Sequence, residues 1–168
     1  MSNKLLTVAT VCAVGALVLT HAPAQARAGS PDAATLIHAR QSALMLSAAT
    51  FGSMKGPIDS GADIGSQAFA AKALARWART LPSLFPAGTG PEAGVPTHAL
   101  PTVWSDRAGF EQRAADYAAA ADKLAALAAA NDKAGFAAQW GVVRQACQAC
   151  HDKYREAPPA PPPAPPTK

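Results

Sequence analysis

The residues best equipped for chemistry stand close together near the end of the chain, in CQACHDKYR at Cys147 to Arg155. Cys147 and Cys150 are three apart, so on a helix both sulfurs leave the same face. His151 is four residues beyond Cys147 and lies along that face. C-x-x-C-H is the attachment pattern of c-type haem. Two thiols at this spacing can bond two vinyl groups on one edge of a porphyrin, and the adjoining imidazole can reach the iron. Two other chemistries use C-x-x-C. A disulfide switch gains from a helix N-terminus, where the positive dipole end lowers the thiol pKa. This pair stands at the far end of a long helical stretch, with no β-α-β context. A structural zinc site needs four ligands, and the other imidazoles are only His21, His38 and His98. The remaining alternative is a buried cysteine pair beside a chance histidine.

The rest of the chain favours the haem reading. Lys4 precedes the apolar run LLTVATVCAVGALVLT, and HAPAQA follows with small residues at Ala24 and Ala26. The run is shorter than the roughly 20 apolar residues that a span needs, so residues 1–26 are expected to be a secretory signal cleaved after Ala26. Cys12 leaves with it. An exported domain with one close cysteine pair is not a disulfide-stapled scaffold. The expected location is the periplasm, with no membrane association after cleavage. The formal charge of +4 becomes +3 once Lys4 is gone. The positive residues are scattered without interleaved aromatics, which gives nucleic-acid binding no support. No acid–base or nucleophile constellation is present, so the chain is not read as an enzyme.

The elements that must carry the motif are helices. Hydrophobic residues make up 49% of the chain and aromatics only 6%, with alanine abundant, a composition suited to close helix contacts. Ser30 is the expected cap of the first helix, with Pro31 at its first position. Ile37, Arg40, Leu44, Ala48, Phe51 and Met54 share one face at steps of three and four, and Gly56 and Pro57 are expected to end it. The second helix is expected from about Ile64 to Leu81, with Phe69, Ala73, Trp77 and Leu81 as its apolar stripe and Pro82 as its stop. PSLFPAGTGPEAGVPTHALPTVW is a long loop of the kind that covers or binds something. The third helix starts at WSD with Ser105 or Asp106 as cap, and its step runs through Phe110, Tyr117, Ala121, Leu124 and Ala128. Asn131 or Asp132 caps the fourth, where Phe136, Trp140, Val143, Cys147, Cys150 and Tyr154 share a face. The predicted fold is all-α, an antiparallel up-down four-helix bundle over residues 27–156. The tail APPAPPPAPPTK, residues 157–168, is expected to be extended and mobile.

A haem motif on the last helix of a bundle, together with ARQSAL and FGSM in helix one, LPSLF after helix two and WSD opening helix three, resembles the class II cytochromes c. The resemblance is to the cytochrome c′ family, a known example of the up-down bundle, and it covers about Pro31 to Arg155. It implies one covalent haem c, with Cys147 and Cys150 as thioethers and His151 as axial iron ligand. Matching the helix-one motif puts Leu44 over the opposite face, which implies a five-coordinate, largely high-spin iron. Arg40 and Gln41 correspond to a pair that contacts the propionates. Arg40 points inward four residues before Leu44, and a buried arginine needs an anionic partner. Arg155, one turn beyond His151, is implied to lie at the proximal face, where a cation also suits a helix C-terminus. Phe85 packs beside the haem or in plain core, and core is the default for Trp77, Trp104 and Trp140.

Met45 is the rival ligand, as in six-coordinate members of the class that act purely in electron transfer. Neighbours on a helix are about 100° apart, which puts Met45 off the inward stripe with His38, Gln41 and Ala49. An apolar distal pocket favours small neutral diatomics. Bound dioxygen wants a donor that Leu44 lacks, whereas nitric oxide and carbon monoxide need it less. The expected partners are therefore NO and CO and redox partner proteins that exchange single electrons. A homodimer through helix one is a further expectation from the resemblance. A haem-free C-x-x-C thiol protein is the alternative that a haem-stained band would exclude.

Overall fold

The computed structural model describes residues 31–158. The leader, the Ser30 cap and the tail from residue 159 onward lie outside the described residues. Six α-helices run in the order α1 (Ala33–Ser53), α2 (Lys55–Ser60), α3 (Ala68–Thr80), α4 (Thr102–Ser105), α5 (Arg107–Ala129) and α6 (Lys133–Tyr154). The long ones, α1, α3, α5 and α6, make the antiparallel four-helix bundle.

Three of the four long helices start where a side chain can accept from the first free N–H groups, whereas α3 follows directly on the 3-10 turn Gly65–Gln67 without a side-chain cap. Asp32 caps α1, accepting from Thr35 N at 2.7 Å. Asp106 caps α5 through Gly109 N, and Asp132 caps α6 through Gly135 N. Gly56 and Pro57 do not stop the chain after α1. They sit in the first turn of α2, where a missing N–H has no helical partner to lose. The turn ends at Gly61, whose φ of 67° suits glycine because no Cβ opposes it.

Asn131 is the one non-glycine residue with positive φ among the described residues, at 51°. Its Oδ1 accepts from Ile64 N at 3.1 Å and Gly65 N at 3.2 Å. The α5–α6 turn is thereby fastened to the start of the second long segment.

α5 is the central helix, packed along α3 on one side and α6 on the other, while α1 lies mainly on α3. Small residues allow this. Ala71, Ala75 and Ala78 of α3 and Ala114, Ala118 and Ala121 of α5 are all buried. The expected stripe of α3 is therefore rotated. Phe69 is 85% exposed, and the buried line is Ala71, Leu74, Ala75 and Ala78. The stripe through Phe69, Ala73 and Trp77 gives way to a face of three alanines and Leu74, while Leu81 at its end is buried as expected. Ala48 of α1 is likewise exposed rather than inward.

The long connection between α3 and α5 is not wholly irregular. It holds 3-10 turns at Leu81–Leu84 and Pro91–Ala93, and then α4. Arg107 anchors its beginning, donating from Nη1 to Phe85 O and from Nη2 to Pro82 O, each at 2.9 Å. Its end runs beside the last turn of α6, where Ala99 and Arg155 form an isolated antiparallel bridge.

Candidate haem site

Cys147 and Cys150 are free thiols, both half-buried and both packed against the core. Burial pushes both upward. Cys150 reaches about 11, chiefly by desolvation and then by the neighbouring Cys147, with Arg113 opposing. Cys147 is raised by desolvation. Thiols held protonated at a helix C-terminal end are poor nucleophiles, which is the reverse of what a disulfide switch needs. Among the described residues no group of three His, Cys, Asp or Glu side chains is placed to hold a metal ion.

His151 is exposed. Its pKa is lowered, first by partial desolvation and then by the Arg155 guanidinium, with Asp152 opposing. The neutral imidazole is the form that binds a metal. Arg155 is itself exposed, and its N–H donates to His151 O at 3.1 Å, closing the last turn of α6.

Across the bundle, α1 turns Leu44 inward, half-buried against the core, while Met45 is 74% exposed. Met54 is fully buried in the core at the C-cap of α1. Arg40 is 1% exposed. Its Nη1 donates to Thr89 Oγ1 at 2.8 Å, and its Nη2 donates to Thr89 O at 2.7 Å and Thr97 Oγ1 at 3.0 Å. The guanidinium also lies 4.5 Å from the Phe85 ring centre and 5.8 Å from that of Trp104. Desolvation lowers its pKa, and Glu92 pulls the other way from a distance. No carboxylate forms an ion pair with it among the described residues. A buried cation without an anion is costly. Of its five N–H donors, those three bonds leave some free for an acidic group. Gln41 Nε2 donates to Pro96 O at 2.9 Å.

These residues fit a covalently held porphyrin. Two unpaired thiols share one face of α6, an imidazole whose protonation is disfavoured follows them, and a buried guanidinium lacks an anion that propionates would supply. Phe85 is buried and belongs to an aromatic row, 6.2 Å from Trp104 and 5.1 Å from Phe110, which is in turn 5.4 Å from Tyr154. At the other end of α1, Phe51 stacks on Trp140 at 4.7 Å, and Trp140 Nε1 donates to Phe51 O. Trp77 Nε1 is buried without a partner among the described residues. His38 is exposed, and His98 Nδ1 pairs with Glu156 Oε2 at 3.1 Å.

The family model for cytochrome c′ matches residues 35–155. The chain belongs to the cytochrome c′ family. It is 40% identical over 121 residues to cytochrome c′ of Rubrivivax gelatinosus, covering 71% of this chain and 93% of that one. It is 39% identical over 119 residues to cytochrome c′ of Alcaligenes xylosoxydans xylosoxydans, covering 70% and 90%. Among solved structures, it resembles a nitric oxide complex of a single-residue variant of cytochrome c prime from Alcaligenes xylosoxidans with a TM-score of 0.69 at 30% identity, covering 77% of this chain and 99% of that one. The family carries covalently attached haem c, and this member is a c-type cytochrome.

Two site neighbours were not visible in the sequence. Thr89 and Thr97, which hold Arg40, have no diagnostic spacing relative to the motif. The only hint is the length of the loop that supplies them.

Proposed function

We propose that this family member is a periplasmic cytochrome whose iron is bound by His151 alone among its side chains, and that it takes up nitric oxide and carbon monoxide on the Leu44 side. The observation that carries this reading is the opposed orientation of two neighbours on α1, Leu44 inward and Met45 outward. Leucine has no donor atom, so the face it covers stays open to a small neutral ligand.

Cys147 and Cys150 hold the group. Each sulfur would hold one edge of the porphyrin through a thioether. His151 supplies its ring nitrogen. Arg40 and Gln41 face the propionates, Phe85 packs beside Arg40 at that end, and Arg155 keeps positive charge near the imidazole and disfavours its protonation. When bound, the haem supplies an iron that takes ligands and exchanges single electrons with redox partner proteins.

The periplasmic assignment rests on the Lys4 start, the apolar run and the small residues before position 27. No described helix is long and apolar enough to cross a membrane. Spectra of the reduced protein before and after CO and then NO test the proposal. A high-spin spectrum that shifts with each gas is expected. A low-spin spectrum indifferent to CO means a second side-chain ligand and overturns it.

A further inference from the structure

Residues 96–102 bond to two helices at once. On the α1 side, Gln41 Nε2 donates to Pro96 O and Arg40 Nη2 to Thr97 Oγ1. On the α6 side, Glu156 N donates to His98 O at 2.8 Å and Leu100 N to Tyr154 O at 3.0 Å. Thr102 Oγ1 donates to Lys153 O at 2.9 Å.

The two sets are joined through the segment itself, because Ala99 lies between His98 and Leu100, which bond to Glu156 and Tyr154. Thr97 Oγ1 accepts from Arg40 Nη2 at 3.0 Å and from Ala99 N at 3.3 Å, and Ala99 is the residue bridged to Arg155. A hydroxyl oxygen has two lone pairs, and both are used here. Each partner has reason to hold its place. Arg40 is 1% exposed, so a donor on it that loses its acceptor is left unpaired away from water, at a cost. The last carbonyls of α6 lack helical partners, and this segment supplies N–H and O–H groups to two of them.

We propose that Thr97 is a positioning residue that couples α1, which carries Leu44, to the α6 turn that follows His151. A shift of α1 moves Arg40, Arg40 moves Thr97, and the 98–102 segment then bears on the backbone four residues beyond the imidazole. A ligand pressing on the Leu44 side is thereby felt at His151. The proposal rests on the reading of Leu44 and His151 as the two faces of one haem. The coupling itself is a property of the chain and can be read without any gas.

Thr97→Val keeps the shape and removes the acceptor, Thr97→Ser restores it, and Thr102→Val cuts only the α6 side. Hydrogen exchange of the haem-loaded protein is followed at Leu100 and Glu156, together with the iron–imidazole stretch of the reduced protein. Thr97→Val should speed exchange at both amides about five- to tenfold, as expected for loss of a net hydrogen bond, and shift the stretch. Thr97→Ser should match the parent. Thr102→Val should loosen the α6 side without moving Arg40. Should Thr97→Val not fold, Thr97→Ala is measured in its place, with the same expectations. If exchange rises only within residues 89–97, or Ser and Val behave alike, Thr97 couples nothing. Gas titration separates the two readings: a protein inert to CO that still shows the exchange pattern loses the gas-binding reading and keeps the coupling.

Discussion

Tyr154 Oη donates to Asp106 Oδ2 at 2.7 Å, which ties the last turn of α6 to the residue that caps α5. Lys153 Nζ reaches the same carboxylate oxygen at 2.5 Å. The junction is tight: a side chain at Gly109 would strike both Asp106 and the Tyr154 hydroxyl. Tyr154→Phe removes the phenol oxygen and leaves the ring packed on Phe110. A fall in Tm of about 3–5 °C is expected, the shift that one net hydrogen bond gives in a domain of this size. Thermal unfolding followed by far-ultraviolet circular dichroism checks it.

The same carboxylate should govern acid stability. The bond from Lys153, then that from Tyr154, holds the Asp106 pKa below its ordinary value. A folded pKa below the unfolded one means that the stabilisation is fully present above the unfolded value, about pH 4. It is lost as pH falls through the folded value. Asp106→Asn should flatten the urea-midpoint curve below about pH 4. Some slope should remain, because Asp32 is lowered in the same direction by its bonds to Thr35. An unchanged slope would show that Asp106 does not titrate in this way.

Much of this arrangement was legible in the sequence, and what was missed has a common physical cause. Asp106 and Asp132 could be read as caps because capping is local, a matter of one oxygen and the next N–H groups. The inward line Ile37, Arg40 and Leu44 was legible because bulky residues mark a face. The α3 face is hard to read because Ala71, Ala75 and Ala78 carry almost no hydrophobic signal against an alanine-rich background, and Leu74 is the one bulky residue among them. Thr89 and Thr97 were out of reach because their partner Arg40 is 49 and 57 positions away. Nothing local in a Pro- and Gly-rich loop says which hydroxyl will meet a distant guanidinium.

Leu44 and Met45 make a clean pair for substitution. Met45→Ala removes a side chain that is largely in solvent and should leave the reduced spectrum unchanged. Leu44→Met puts a thioether on the inward stripe, with about the same volume. Its sulfur is then placed where the leucine methyls were, and the spectrum should move toward low spin with weaker CO uptake. A Leu44→Met protein with the parent's spectrum and CO affinity would argue that this position does not face the iron.

Asn131 does two jobs at the α5–α6 turn. It tolerates a left-handed backbone better than most residues, and its side chain holds Ile64 N and Gly65 N. Asn131→Gly relieves the backbone and loses the clamp, while Asn131→Ala loses both. The expected order of stability is parent, then Gly, then Ala, with Ala lower than the parent by about 1–3 kcal/mol. Chemical denaturation with a constant m value gives the order. A glycine variant as stable as the parent would mean that the two amides find water without cost.

The outer side of α1 and α3 bears on self-association. Leu46 is 68% exposed and Phe69 85% exposed. Leu46 borders a groove of about 230 Å³ with Ala43, Ser47, Thr50, Ala73 and Trp77, and Phe69 stands one turn before Ala73 on α3. Two large exposed apolar side chains, one on the rim of this groove and one a turn away on α3, form a surface that a second copy can cover with its own equivalent, as a two-fold dimer requires. Leu46→Glu with Phe69→Glu places like charges on both halves of such a contact. In sedimentation velocity the parent should show a dimer and the double variant a monomer. The variant's CO spectrum should be unaltered, because both side chains stand largely in solvent. A parent that sediments as a monomer at all concentrations would leave these two residues without a partner and remove the homodimer from the account.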